Sequence, residues 1–140
     1  SLASAVALVA DHRRRDTAPH PVNRLARERW LRAQLVDDPA RLDLVALHPI
    51  SPPLPRRNVK DPAPAAALGE HADGSLVLVV CTVGVDLEWV PVAVDLVARE
   101  RPDRVIVALP PRDLLPVQHR LAALIDAPVT FVGVEGNWPT

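Results

Sequence analysis

The chain has no methionine and no tyrosine, and only one phenylalanine and one cysteine in 140 residues. With Cys81 alone, an intramolecular disulfide is excluded, and so is a zinc site built on several thiolates. Glycine is scarce too. The five present form neither GxGxxG nor GxxxxGK[ST], the turns that offer backbone N–H groups to phosphates. The serines Ser1, Ser4, Ser51 and Ser75 build no GxSxG elbow, which argues against a Ser-His-Asp hydrolase. His12, His20, His48, His71 and His119 lack the i, i+4 spacing that sets two imidazoles on one helix face. No charge of one sign dominates. The net charge of -1 excludes a protein held to nucleic acid by charge alone, so nucleic acid is a possible partner that net charge does not support.

No apolar run is long enough to cross a bilayer, and the opening SLASAVALVA has no basic residues ahead of it and is itself too short, so no membrane is expected. A start at Ser1 reads as a processed or trimmed end. The lone cysteine fits a reducing, cytoplasmic setting. Lys60 is the single lysine among sixteen basic residues, and with the many Ala, Val and Pro this suggests a GC-rich, bacterial-type coding sequence more than a function.

What is present is a core. Hydrophobic residues make up 49% of the chain, which at this length is one domain, residues 1–140, able to bury roughly two thirds of its unfolded surface. Residues 74–86, GSLVLVVCTVGVD, carry an unbroken apolar run behind a turn and predict a central strand covered on both faces. Upstream, Leu2, Ala5, Val6 and Val9 predict a short helix that ends near Arg13, Arg14 and Arg15. Val22, Leu25, Ala26, Trp30, Ala33, Leu35 and Val36 predict an amphipathic helix over 22–36, with Pro21 in its first turn and Asp37-Asp38-Pro39 as its stop.

Residues 42–50 read as a strand and the proline-rich 51–64 as a loop or extended edge. The His71-Ala72-Asp73-Gly74 turn predicts that 65–70 pairs antiparallel with 75–83. Next comes a helix with Asp86 as N-cap, Pro91 in its first turns, an apolar stripe of Val90, Val94, Val97 and Ala98, and a stop at Arg101-Pro102. A strand at 104–109, a helix over 111–125 and a strand at 128–134 complete the chain. The class is α/β, a single domain in the order ααβββαβαβ, with a mixed, mostly buried sheet of about five strands flanked by helices and parallel pairing in its second half.

Few residues offer chemistry. Cys81 lies mid-strand, and its neighbours Val79, Val80, Thr82 and Val83 supply no cation, so an inert core thiol is expected. Asp86 and Glu88, with Pro110 and Arg112, fall where α/β proteins bind ligands, at the carboxyl ends of strands, although an acid before a helix also serves as a cap. Arg56, Arg57 and Lys60 are candidate phosphate contacts or solvated charge. Trp30, Trp89 and Trp138 are candidate interface anchors, with core packing the alternative for the first two.

Residues 66–83, AALGEHADGSLVLVVCTV, followed by Asp86-Leu87-Glu88 and a helix, resemble the core of the PD-(D/E)XK nuclease superfamily. In that family an Asp begins one strand, a DG-type turn follows, and the next strand ends in E-x-K. The family order of helix, three strands, helix and strand is also matched, over about two thirds of the chain. The resemblance implies Mg²⁺ held by the acids and a water oriented by the Lys. Laid on this chain, those positions fall on Ala66, Cys81 and Val83, which implies a nuclease-like domain without the catalytic motif, no metal and no cofactor. The expected role is macromolecular binding, a protein partner before a nucleic acid, or self-assembly. Three alternatives stay open: an unrelated α/β domain with a similar hairpin, a small-molecule enzyme or binder with its pocket at the carboxyl ends of the strands, and a nuclease whose carboxylates have moved to Asp61, Glu70 or Asp73.

Overall fold

A computed structural model of the chain describes residues 27–51, 64–84 and 87–135. The elements are helix α1 (Arg27–Asp37), a 3-10 turn (Pro39–Leu42), strands β1 (Leu44–Ile50), β2 (Ala65–His71) and β3 (Leu76–Cys81), helix α2 (Trp89–Glu100), strand β4 (Arg104–Leu109), a second 3-10 turn (Pro111–Asp113), helix α3 (Pro116–Ala122) and strand β5 (Val129–Gly133). All five strands join one sheet in sequential order. β1, β2 and β3 pair antiparallel, while β3, β4 and β5 pair parallel. The α/β class and the mixed five-stranded sheet are as the sequence predicts. The helix expected over 2–9, residues 22–26 of the next helix and the loop 52–63 lie outside the described residues.

β3 is the central strand, and its alternation feeds two cores. Val77, Val79 and Cys81 pack on one face with Leu31 and Leu35 of α1. Leu78 and Val80 pack on the other with Trp89, Ala93 and Leu96 of α2. Side chains of α3, Leu121 and Ala122, lie on that same second face, as two successive parallel crossovers of one hand require. Each buried Val or Leu contributes roughly 1.5–3 kcal/mol of transfer free energy, so this strand holds both layers to the sheet.

The hairpin forms as the turn residues dictate. Gly74 adopts φ 88°, the His71 N–H donates to the Ser75 carbonyl at 3.0 Å, and the Gly74 N–H donates to the His71 carbonyl at 2.9 Å. Gly69 in β2 serves a different need. A Cβ there would lie 2.8 Å from the Ala46 carbonyl oxygen and 2.9 Å from Leu44 Cδ1, so only glycine lets β1 approach. Pro49 sits in β1, an edge strand, where a missing N–H is tolerated.

Three expected elements differ in detail. Leu42 belongs to the 3-10 turn, and Asp43 turns left-handed at φ 58° before β1 begins. The helix expected over 111–125 is split because Leu115 precedes Pro116 and is pushed to extended backbone, φ −111° and ψ 153°. In α2 the buried face is Trp89, Val90, Ala93 and Leu96, and Val94 is 40% exposed. Trp89 sets this rotation: it is the largest buried side chain among the described residues and meets Phe131 edge-on, with ring centroids 5.7 Å apart. It is therefore core, not an exposed anchor. Trp30 is partly buried against the α1-side core, and Trp138 lies outside the described residues.

Candidate functional site

The β2–β3 register decides which side chains can meet. Ala65 is paired with Cys81, and Ala66 with Val80. Ala65, Ala67 and Cys81 belong to the core under α1, whereas Ala66 and Val80 belong to the core under α2. Ala66 therefore does not converge with Cys81, although the sequence resemblance assigns both to one site. A strand has a side-chain period of two, so an assignment shifted by one residue lands on the opposite face. On the α1 side the paired residues are Ala65 and Cys81, and on the α2 side they are Ala66 and Val80. All four are buried, as are Thr82 and Val83 beyond them.

Helix α1 closes the first of these faces. The residues it buries are Glu28, Leu31 and Leu35, not the Ala33 of the expected stripe, which is exposed. Arg32, half-buried, follows Glu28 by one turn and so stands on the same helix face. Its Nη1 donates to the Ala66 carbonyl at 3.1 Å and to the Ile50 carbonyl at 3.5 Å, tying the start of β2 to the end of β1. Burial lowers the Arg32 pKa, opposed by the Cys81 thiolate and supported by Arg29. At Cys81, completely buried, burial pushes the thiol pKa up to about 12; the Arg32 charge opposes this and that of Glu28 adds to it. The thiol is buried and its pKa raised, as the strand neighbours lead one to expect, and the opposing charge is that of Arg32. It comes from a helix nearly fifty positions away, and its only trace in sequence is an Arg spaced with Leu31 and Leu35 on a helix.

At the carboxyl ends of β3 and β4 the organising acid is Asp113, which sequence reasoning passed over. Only 7% exposed, it accepts the Gly84 N–H through Oδ2 at 2.8 Å, with Gly84 at φ 82°. Its one sequence signal is an acid in the turn after Pro110-Pro111. Arg112 is exposed, with Nε 3.9 Å from Asp113 Oδ1, and Glu88 is exposed at the start of α2 without a side-chain cap bond. Asp86 lies outside the described residues, as do Arg56, Arg57, Lys60 and Asp61. Gln118 is buried, and its Oε1 accepts the Leu115 N–H at 3.3 Å, holding the start of α3.

Glu70 and Asp73 lie at the turn end of the hairpin, the opposite end from Cys81. Asp73 Oδ1 accepts both the N–H and the hydroxyl of Ser75, and these bonds hold its carboxyl pKa down at about 2. Its Oδ1 already serves the turn. Among the described residues no three His, Cys, Asp or Glu side chains are grouped closely enough to hold a metal ion. Magnesium asks for near-octahedral oxygen donors, and the hairpin offers methyl, isopropyl and thiol groups under a guanidinium. These residues do not fit a divalent metal.

By sequence, the chain matches no protein-family profile and no curated protein. By structure, it is similar to EndoMS in its apo form, with a TM-score of 0.50 and 17% identity over 78% of this chain and 47% of that one. It is also similar to a repair endonuclease from Pyrococcus abyssi, with a TM-score of 0.46 and 18% identity over 76% of this chain and 46% of that one. The chain spans about half the length of these structures. At this level of identity the likeness to EndoMS is one of fold, and the fold of this chain is nuclease-like.

Proposed function

We propose that this chain is a single nuclease-like domain that has given up nuclease chemistry and works by binding a protein partner or by assembling with itself. One observation carries the reading: Ala66 and Cys81, where the resemblance implies metal-holding acids, are packed into the two cores together with their pairing partners Val80 and Ala65. Metal-assisted phosphodiester hydrolysis needs a hard cation and a polarised water at one open place, and neither survives among buried alkyl groups. Apolar side chains left on the outside, Leu87, Val94, Leu114 and Leu124, supply surface that a partner could cover. A buried free thiol suits a reducing compartment, and the cytoplasm is the proposed location.

The test is a plasmid-nicking assay with Mg²⁺ and with Mn²⁺, run beside sedimentation of the chain over a concentration series. Absence of cleavage together with concentration-dependent mass, or mass gained from one defined protein, supports the proposal. Cleavage that disappears on Glu70→Ala or Asp61→Ala overturns it in favour of relocated carboxylates.

A further inference from the structure

We infer that the Arg32 guanidinium is the resident cation on the α1 side of the β2–β3 hairpin, the face of Cys81, where the nuclease resemblance implies one of the metal-holding acids. Its Nη1 is bonded to the carbonyl of Ala66, the position implied for the Asp, at 3.1 Å. Neighbouring strands lie about 4.8 Å apart, and Cys81, the position implied for the Glu, is the Cα partner of the adjacent Ala65. Arg32 therefore meets the hairpin at the Ala66 backbone and on the α1 side, the face that Cys81 shares, while the Ala66 side chain faces α2. Its charge is felt at the Cys81 sulfur, and that of Glu28, buried one helical turn earlier, is felt there with the opposite sign.

The chemistry of the two cations explains the exchange. A magnesium ion needs several oxygens and gives up its waters reluctantly, which buried alanine and valine cannot repay. A guanidinium is permanently charged, more weakly hydrated than an ammonium, and can be satisfied by backbone carbonyls alone. Arg32 has two such carbonyls, from Ile50 and Ala66, and the second also fixes the strand ends. A cation delivered by the chain itself neither dissociates nor exchanges with the medium. The α1 side of the hairpin thus carries its own cation and leaves a divalent ion no side-chain oxygen at Ala65, Ala67 or Cys81.

The inference rests on the non-catalytic reading above, but its test does not use cleavage. Cys81→Asp is compared with its neutral isostere Cys81→Asn, so that the cost of size and polarity cancels and the carboxylate charge remains. With Arg32 in place, Cys81→Asp is expected to melt no lower than Cys81→Asn at pH 7. In an Arg32→Gln background, which keeps a donor and removes the charge, Cys81→Asp is expected to melt at least about 4 °C below Cys81→Asn. An Arg32→Lys background, which returns the charge, should close most of that gap. A gap between the two variants that is the same in every background means that Arg32 only ties strand ends, and overturns the inference. The wild-type chain provides a second measurement that no folding failure can obscure. Its melting temperature should not move with Mg²⁺ or Mn²⁺, and a rise in melting temperature on adding either ion also overturns the inference. Cleavage of DNA with an intact Arg32 dependence would sink the proposed function and leave this assignment standing.

Discussion

Replacing Asp113 by Ala removes a side-chain bond that ties the segment after β3 to the turn after β4. Its Oδ2 accepts the Gly84 N–H at 2.8 Å, and the carboxylate is only 7% exposed. A hydrogen bond to a charged group contributes about 1.5–3 kcal/mol, and part of that is the cost of leaving the partner donor unsatisfied. Gly84 sits at φ 82° and is partly buried, so its N–H has limited access to water once the acceptor is gone. The expected loss is about 2 kcal/mol, or roughly 6–10 °C of melting temperature for a chain of this size. The exposed Arg112, 3.9 Å from the carboxylate, adds little, because surface ion pairs contribute about 0–1 kcal/mol. Urea unfolding followed by tryptophan emission measures the difference, with an unchanged m-value as the check that only stability has moved. Asp113→Asn retains an acceptor and should recover more than half of the loss. If Asp113→Ala unfolds within about 0.5 kcal/mol of the wild type, the ordinary range for surface changes, the bond does not organise this end of the sheet and the reasoning fails.

Gly69→Ala should destabilise by about 1–3 kcal/mol, because the new methyl meets the backbone oxygen of Ala46 at 2.8 Å and β1 must move; an equilibrium unfolding midpoint equal to that of wild type would contradict this. Cys81 should react with thiol reagents only through opening of the fold, since it is fully buried and its pKa stands near 12; alkylation at neutral pH that is fast without denaturant would refute the burial. Asp73 has its folded pKa lowered to about 2 from 3.8, so its contribution is present above the unfolded value and fades as pH falls through roughly 4 to 2. A carbon-detected NMR titration should find this low value and should find it raised by Ser75→Ala; an unchanged titration in the variant would show that Ser75 is not the cause.

The central strand was legible because Leu76 to Cys81 is apolar without interruption, and only a strand covered on both sides tolerates that. Its antiparallel partner was legible from Asp73-Gly74, since a turn of that composition joins neighbours. Which face each residue takes was not. Ala66 and Cys81 read as one site along the chain, and the register Ala65 to Cys81 separates them, because pairing is fixed by the whole hairpin. Helix α2 misled for a related reason: valines at 90, 94 and 97 suggest a stripe, yet Trp89 and Leu96 bury more surface and set the rotation. The polar half of the candidate site was hidden by distance. Glu28 and Arg32 approach Cys81 only through tertiary packing, and Asp113 meets Gly84 across two loops. Pro116 was visible in the sequence, but that it would interrupt the expected helix rather than begin it follows from Leu115 being forced extended.

The most direct measurement is paramagnetic broadening of backbone amide resonances by Mn²⁺, which reports a bound ion wherever one sits, whatever its effect on activity. A hairpin sealed by Ala65, Ala66, Val80 and Cys81 under Arg32 predicts that the amides of these residues keep their line widths at sub-millimolar Mn²⁺. Selective, Mg²⁺-competed broadening centred on Ala65, Ala66 and Cys81 would mean that the hairpin holds a divalent metal after all, and would contradict a nuclease-like fold without metal chemistry.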